Sequence, residues 1–162
     1  MDNVLTIAEE RLNLFAHMAN SACGLSLWCF GMKKQLYTCT CPAEKEFRLF
    51  LDSGQCLDYA IAHGPESHAP ILMSDPIGML WVAECVWHGD DASYLVILGP
   101  VFDAAASLQT LQNCLRGMNL SVSLTATIME KLEQVPILPL STLHQYIKML
   151  HWVLYEETLD VG

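Results

Sequence analysis

Cys39-Thr40-Cys41, Cys56, His63 and His68 are the residues of this chain whose types could assemble a metal centre. Thiolates and imidazoles suit zinc, and a closed zinc site takes four of them at tetrahedral geometry. The spacing argues the other way. Cys-x-Cys is not the usual finger spacing, and no second cysteine pair follows it. Residues two apart on a strand share a face, so both thiols can simply line a core. No metal is expected. A nucleophilic cysteine would need a neighbouring base or a helix N-terminus to lower its pKa. Cys29 and Cys85 lie inside apolar runs, which push a thiol up instead. Cys56 is the least enclosed by its neighbours, and no Cys-His-Asn arrangement accompanies it. Enzymatic activity is therefore not expected, and no cofactor is implied.

Glu84 is the one acid inside the apolar run GMLWVAECVW. A buried carboxylate is costly unless paired, so it either contacts a ligand, forms an ion pair, or reaches solvent. Trp28, Trp81 and Trp87 carry the same alternatives. Aromatics line many ligand pockets and pack cores more often still. Together with Glu84 they form the candidate ligand-binding set. His63 and His68 sit in a Gly/Pro-containing stretch, 63–70, that reads as a loop. His144 and His151 are seven apart on the last helix, share a face, and border its apolar stripe.

These residues hang on elements that the apolar periods define. Leu5, Ala8, Leu12, Phe15, Ala16 and Ala19 predict an amphipathic first helix closed at Gly24. Leu25–Phe30 and Gln35–Cys41 predict a hairpin about the turn Gly31–Lys34, with Tyr37, Cys39 and Cys41 on one face. A helix follows over Glu44–Leu51, then a short helical stretch over Cys56–Ala62. After a short strand at Ile71–Met73, strands over Gly78–His88 and Ser93–Leu98 flank an acidic turn, and the second run ends at Gly99-Pro100. The first of these strands is apolar on both faces, which places it mid-sheet and covered on both sides. The period then lengthens to that of helices: Ala104–Arg116, a second helix capped by Ser121 or Ser123, and a last helix from Thr142 to about Glu156, capped by Ser141. Leu143, Ile147, Leu150 and Leu154 make a stripe on it compatible with a two-helix seam. The expected fold is α+β: an antiparallel sheet flanked by helices, like the small GAF and PAS sensor folds.

Composition narrows the class. The chain has 162 residues, enough for one domain with a real core. It is 52% apolar and only 16% charged, richer in apolar residues than an average soluble domain. The net charge of −10 argues against binding a phosphate backbone directly. The longest apolar stretches fall well short of the roughly 20 residues of a spanning helix, and the first residues lack a basic flank and apolar signal core. Seven cysteines, mostly within apolar runs, suit reduced thiols in a cytoplasmic protein better than a disulfide framework.

The segments GMLWVAEC, YLVILGPVF and PILPLSTLHQYIKMLHWVLYEE resemble the N-terminal sensory region of AraC-type bacterial transcription regulators. Gly99, Pro100, Pro136, Pro139, Tyr146, Met149, Leu150 and His151 carry that resemblance, which covers Pro76–Glu157. It implies a single sensory and dimerisation domain over residues 1–162, a helix at about 142–156 acting as output arm, and two DNA-binding helix-turn-helix motifs downstream of Gly162. An unidentified small-molecule effector and a homodimer are the implied partners, with DNA reached only through the downstream motifs. No ligand identity comes with it. The alternative expectation is a protein-interaction module without a ligand.

Overall fold

A computed structural model describes residues 3–53, 55–67, 69–88 and 91–155. Among these residues five antiparallel strands form one sheet: β1 (Leu27–Gly31), β2 (Leu36–Cys39), β3 (Ile71–Ser74), β4 (Leu80–His88) and β5 (Asp91–Val101), in the order β2-β1-β5-β4-β3. Among the described residues six helices cover it: α1 (Asn3–Cys23), α2 (Glu44–Ser53), α3 (Cys56–Ser67), α4 (Leu108–Arg116), α5 (Val122–Leu132) and α6 (Leu140–Tyr155). The fold is α+β, as its patterning predicts. No helix among the described residues is long and apolar enough to cross a membrane.

The sheet divides the core in two. On one side Trp28, Phe30, Trp81, Cys85, Leu95 and Ile97 pack against Phe47, Phe50 and Leu51 of α2, Leu57 of α3, Leu115 of α4 and Ile128 of α5. On the other, Leu27, Val82, Val86, Val96 and Leu98 pack against Leu12, Phe15, Ala16 and Ala19 of α1 and Leu143, Ile147 and Leu150 of α6. Strand alternation decides which residue faces which layer, and β4 and β5 are covered on both sides as their two-sided apolarity requires.

Four expectations change. The stretch 63–67 is not loop but the end of α3, and Pro65 lies within the helix. Gly64 is buried there, and a Cβ on it would meet Leu95 Cδ2 at 3.3 Å, so close packing on β5 overrides the local Gly-Pro signal. Strand β5 does not end at Gly99-Pro100. It runs through a cis peptide there to Val101, and its register against β4 shifts between Leu80 and Val82. A bulge is where a central strand tolerates proline. A second shift, opposite Cys29 and Phe30, leaves Tyr37 as the extra residue. It breaks the simple alternation of β2, so Leu36 and Cys39 pack on the same core while Tyr37 is exposed. Finally, Ser141 lies inside α6 rather than at its cap, whereas Ser121 does cap α5 and accepts from the Leu124 amide at 3.2 Å. Residues 89 and 90 of the expected acidic turn, and Glu156, lie outside the described residues.

Candidate functional site

The four candidate ligand residues do not meet in one place. Trp28 and Trp81 are fully buried on the α2/α3 side, with ring centroids 5.8 Å apart at 64°. Phe30 stacks on Trp28 at 6.1 Å. Each indole N–H is engaged within the fold: Trp28 Nε1 donates to the Gly99 carbonyl and Trp81 Nε1 to Asp75 Oδ2, both at 2.9 Å. Asp75 was not legible as important from the sequence. Its Oδ1 accepts from the amides of Ile77 and Met79, each at 3.0 Å, and this closes the turn leading into β4. Burial pushes the Asp75 carboxyl up to about 6, against the pull of those N–H donors. Trp87 is half-buried at the margin of the same core.

Glu84 points the opposite way, toward α6. It is 3% exposed and pairs with Nδ1 of His151, itself 7% exposed. Its second oxygen, Oε2, is buried without a hydrogen-bond partner. Burial raises the Glu84 pKa, and the His151 hydrogen bond partly opposes this. One turn further along α6, Tyr155 donates its hydroxyl to the Cys85 carbonyl, and its ring lies 5.1 Å from that of His151. Burial raises its pKa too. This polar seam sits in the otherwise apolar contact between the sheet and α6. It is an ion-pair or shared-proton arrangement built into the core, and the partner lies 67 residues from Glu84.

The α6 stripe also resolves differently from a free seam. Leu143, Ile147 and Leu150 are buried against the sheet, and Leu154 is half-buried beside them. They hold α6 to its own domain and do not offer themselves to a second chain. The outward apolar face of the helix pair is made by other residues. Leu14 and Met18 of α1 and Met149 and Trp152 of α6 line an open groove of about 440 Å³, bordered by Arg11 and Lys148. Leu14 is 73% exposed and Trp152 54%, which is unusual for side chains of that size and polarity. The signal was present in the sequence as apolar residues at spacings of four and three on the nominally polar faces of two helices.

The metal candidates scatter. Cys39 and Cys41 lie together at the end of β2, Cys56 directs its thiol to the Ser74 carbonyl at 3.8 Å, and His63 is exposed and 4.3 Å from the Tyr59 ring. His68 lies outside the described residues. Among the described residues no three His, Cys, Asp or Glu side chains are placed to hold a metal ion together. His144 is half-exposed. The chain matches no protein-family model, no curated protein and no solved structure.

Proposed function

We propose that this chain is the cytoplasmic sensory and dimerisation domain of an AraC-type transcription regulator, and that two copies associate through the groove between α1 and α6. The groove is the observation that carries the proposal. Two helices at opposite ends of the sequence lie side by side over the sheet and keep large apolar side chains turned outward. A helix apolar on both faces is normally covered on both, and contiguous apolar surface marks an interaction site. The GAF- or PAS-like order of the elements, with the last helix leading toward a downstream DNA-binding unit, supports the same reading. So does the acidic charge, which leaves DNA contacts to another part of the protein.

The reading without a small-molecule ligand draws on a specific observation as well. Trp28 and Trp81 belong to one buried cluster with Phe30, Phe50, Leu57 and Met79, and both indole donors are satisfied inside the chain. In that form the domain is an interaction module whose dimerisation through α1 and α6 is its whole contribution. Sedimentation equilibrium tests the shared element. The wild-type chain is expected to be a dimer at micromolar concentration, and Trp152→Glu and Leu14→Glu to be folded monomers by circular dichroism and sedimentation. A wild-type monomer at high concentration, or a dimer indifferent to both substitutions, refutes the proposal. Thermal-shift screening against small metabolites then separates the two forms, since a ligand that binds only the folded state raises its midpoint.

A further inference from the structure

Of the seven cysteines, Cys39 and Cys41 lie two residues apart and in contact. Strand β2 ends at Cys39, and the Cys41 amide two residues on donates to Cys39 Sγ at 3.3 Å. That is the sulfur counterpart of the turns that Asp and Ser make with the amide two residues on. The residue between them is held from both sides: the Thr40 amide donates to the Leu27 carbonyl at 3.0 Å, and Thr40 Oγ1 accepts from the Leu27 amide at 2.9 Å. In a fully extended strand, Cα atoms two apart lie about 6.8 Å apart, the upper edge of the disulfide range. Residues two apart in an extended chain share a face, and the amide contact draws the Cys39 sulfur toward Cys41.

We propose that Cys39 and Cys41 form a peroxide-responsive dithiol, a modification site in which Cys41 attacks and Cys39 resolves. The two sulfurs are differentiated in the sense those roles need. Hydrogen bonds from the Cys39 thiol, the Ala43 amide and Ser26 favour the Cys41 thiolate and bring its pKa down to about 7, against burial. Cys39, which donates to it, is raised well above the ordinary thiol range. Burial pushes Cys56 and Cys85 up to about 11 instead. Cys41 sits at the edge of the core, 9% exposed, so the oxidant is a small one. In the first step the Cys41 thiolate attacks one oxygen of hydrogen peroxide. An S–O bond forms, the O–O bond breaks, and hydroxide leaves as water after taking a proton. Cys39 then attacks the Cys41 sulfur, an S–S bond forms, and the S–O bond breaks. The departing hydroxide takes the Cys39 proton as a second water. Two thiols are oxidised to one disulfide, and one peroxide is reduced to two waters.

Tryptic cleavage after Lys34 and Lys45 releases residues 35–45, whose only cysteines are Cys39 and Cys41. The reduced chain is treated with equimolar hydrogen peroxide at pH 7, blocked with an alkylating reagent, digested and weighed. The expected product is this peptide two hydrogens lighter and unalkylated, restored by dithiothreitol. Cys39→Ser is expected to stop at a dimedone-reactive sulfenic acid on Cys41. Cys41→Ser is expected to consume peroxide roughly tenfold more slowly, since it removes the thiol whose pKa is brought down to about 7. Recovery of the peptide doubly alkylated after wild-type treatment overturns the proposal, as does undiminished peroxide consumption by Cys41→Ser.

Discussion

Replacing His151 by Leu tests whether the Glu84–His151 pair is a true buried partnership. The substitution keeps the apolar bulk between α6 and the sheet but leaves both carboxyl oxygens of a 3% exposed glutamate without this donor. Breaking a buried pair by removing one partner costs about 3–5 kcal/mol, whereas replacing both by apolar residues is often neutral or stabilising by about 1–4 kcal/mol. With a urea dependence of about 2 kcal/mol/M, the midpoint of His151→Leu should fall by about 1.5–2.5 M, and Glu84→Leu should cost less because it also removes the orphaned Oε2. The double variant, Glu84→Leu with His151→Leu, should return close to wild type, a coupling of about 3 kcal/mol or more in the double-mutant cycle. The pH dependence has a definite sign. Burial raises the folded-state pKa of Glu84, so its stabilising contribution is full below its unfolded pKa and lost as pH rises through the folded value. Removing His151 removes a group that pulls that pKa down, so the deficit of His151→Leu should shrink as pH falls. Additive single-variant costs, or a deficit that grows in acid, would refute the pairing.

Two further outcomes are expected. Asp75 is 6% exposed, with its pKa raised by burial to about 6. Its contribution should therefore be full below about pH 4 and lost by about pH 6, a swing of about 3 kcal/mol. Asp75→Asn should flatten the stability profile across that interval while costing about 1–3 kcal/mol for the Trp81 donor it leaves unpaired; urea midpoints from pH 4 to 7 for both proteins check it, and parallel profiles would count against it. Gly99 has φ +143°, and a Cβ there would lie 2.8 Å from Trp81 Cε3 and 3.0 Å from the Leu80 carbonyl. Gly99→Ala should lose about 3 kcal/mol or more from backbone strain and overpacking, against less than about 0.5 kcal/mol for Gly117→Ala, whose nearest neighbour is at 3.5 Å. Thermal denaturation of the two variants side by side decides the point.

The parts of this molecule that obey one period were legible in the sequence. The first helix, the two-sided β4 and the stripe on α6 follow from spacing alone, and so does Glu84 as the residue out of place. Its partner was not legible, because periodicity says which residues share a face and not what lies opposite. Spacing places His151 at the border of the α6 stripe, and what it meets there is Glu84 of β4. The same gap explains the α6 leucines: the stripe is real, but its counterpart is the sheet. Local signals failed where packing outweighed them. Gly64-Pro65 reads as a break and is helix because a hydrogen-only side chain fits against Leu95. Gly99-Pro100 reads as a stop and is a bulge in the central strand because that glycine lets Trp81 pack on the backbone. Asp75 carries no period at all. It matters through three hydrogen bonds that exist only after the turn has formed.

The two faces of α6 constrain how the proposed domain can pass a signal. Its inward face is fixed by Leu143, Ile147 and Leu150 and by the pair of His151 with Glu84. Its outward face carries Met149 and Trp152 into the groove. A slide of one turn would move His151 by about 5.4 Å along the axis, separating it from Glu84 and leaving a buried carboxyl without its partner at a cost of about 3–5 kcal/mol. Apolar side chains alone would set a softer barrier, since one leucine replaces another across a seam with little change in buried area. The polar pair therefore fixes the register of α6 on the sheet, and under the proposed reading the helix relays by moving with α1 as a unit, or only after the pair has been neutralised. The first route leaves the Glu84→Leu, His151→Leu double variant as competent a dimer as wild type. The second makes its dimerisation independent of any condition that titrates Glu84.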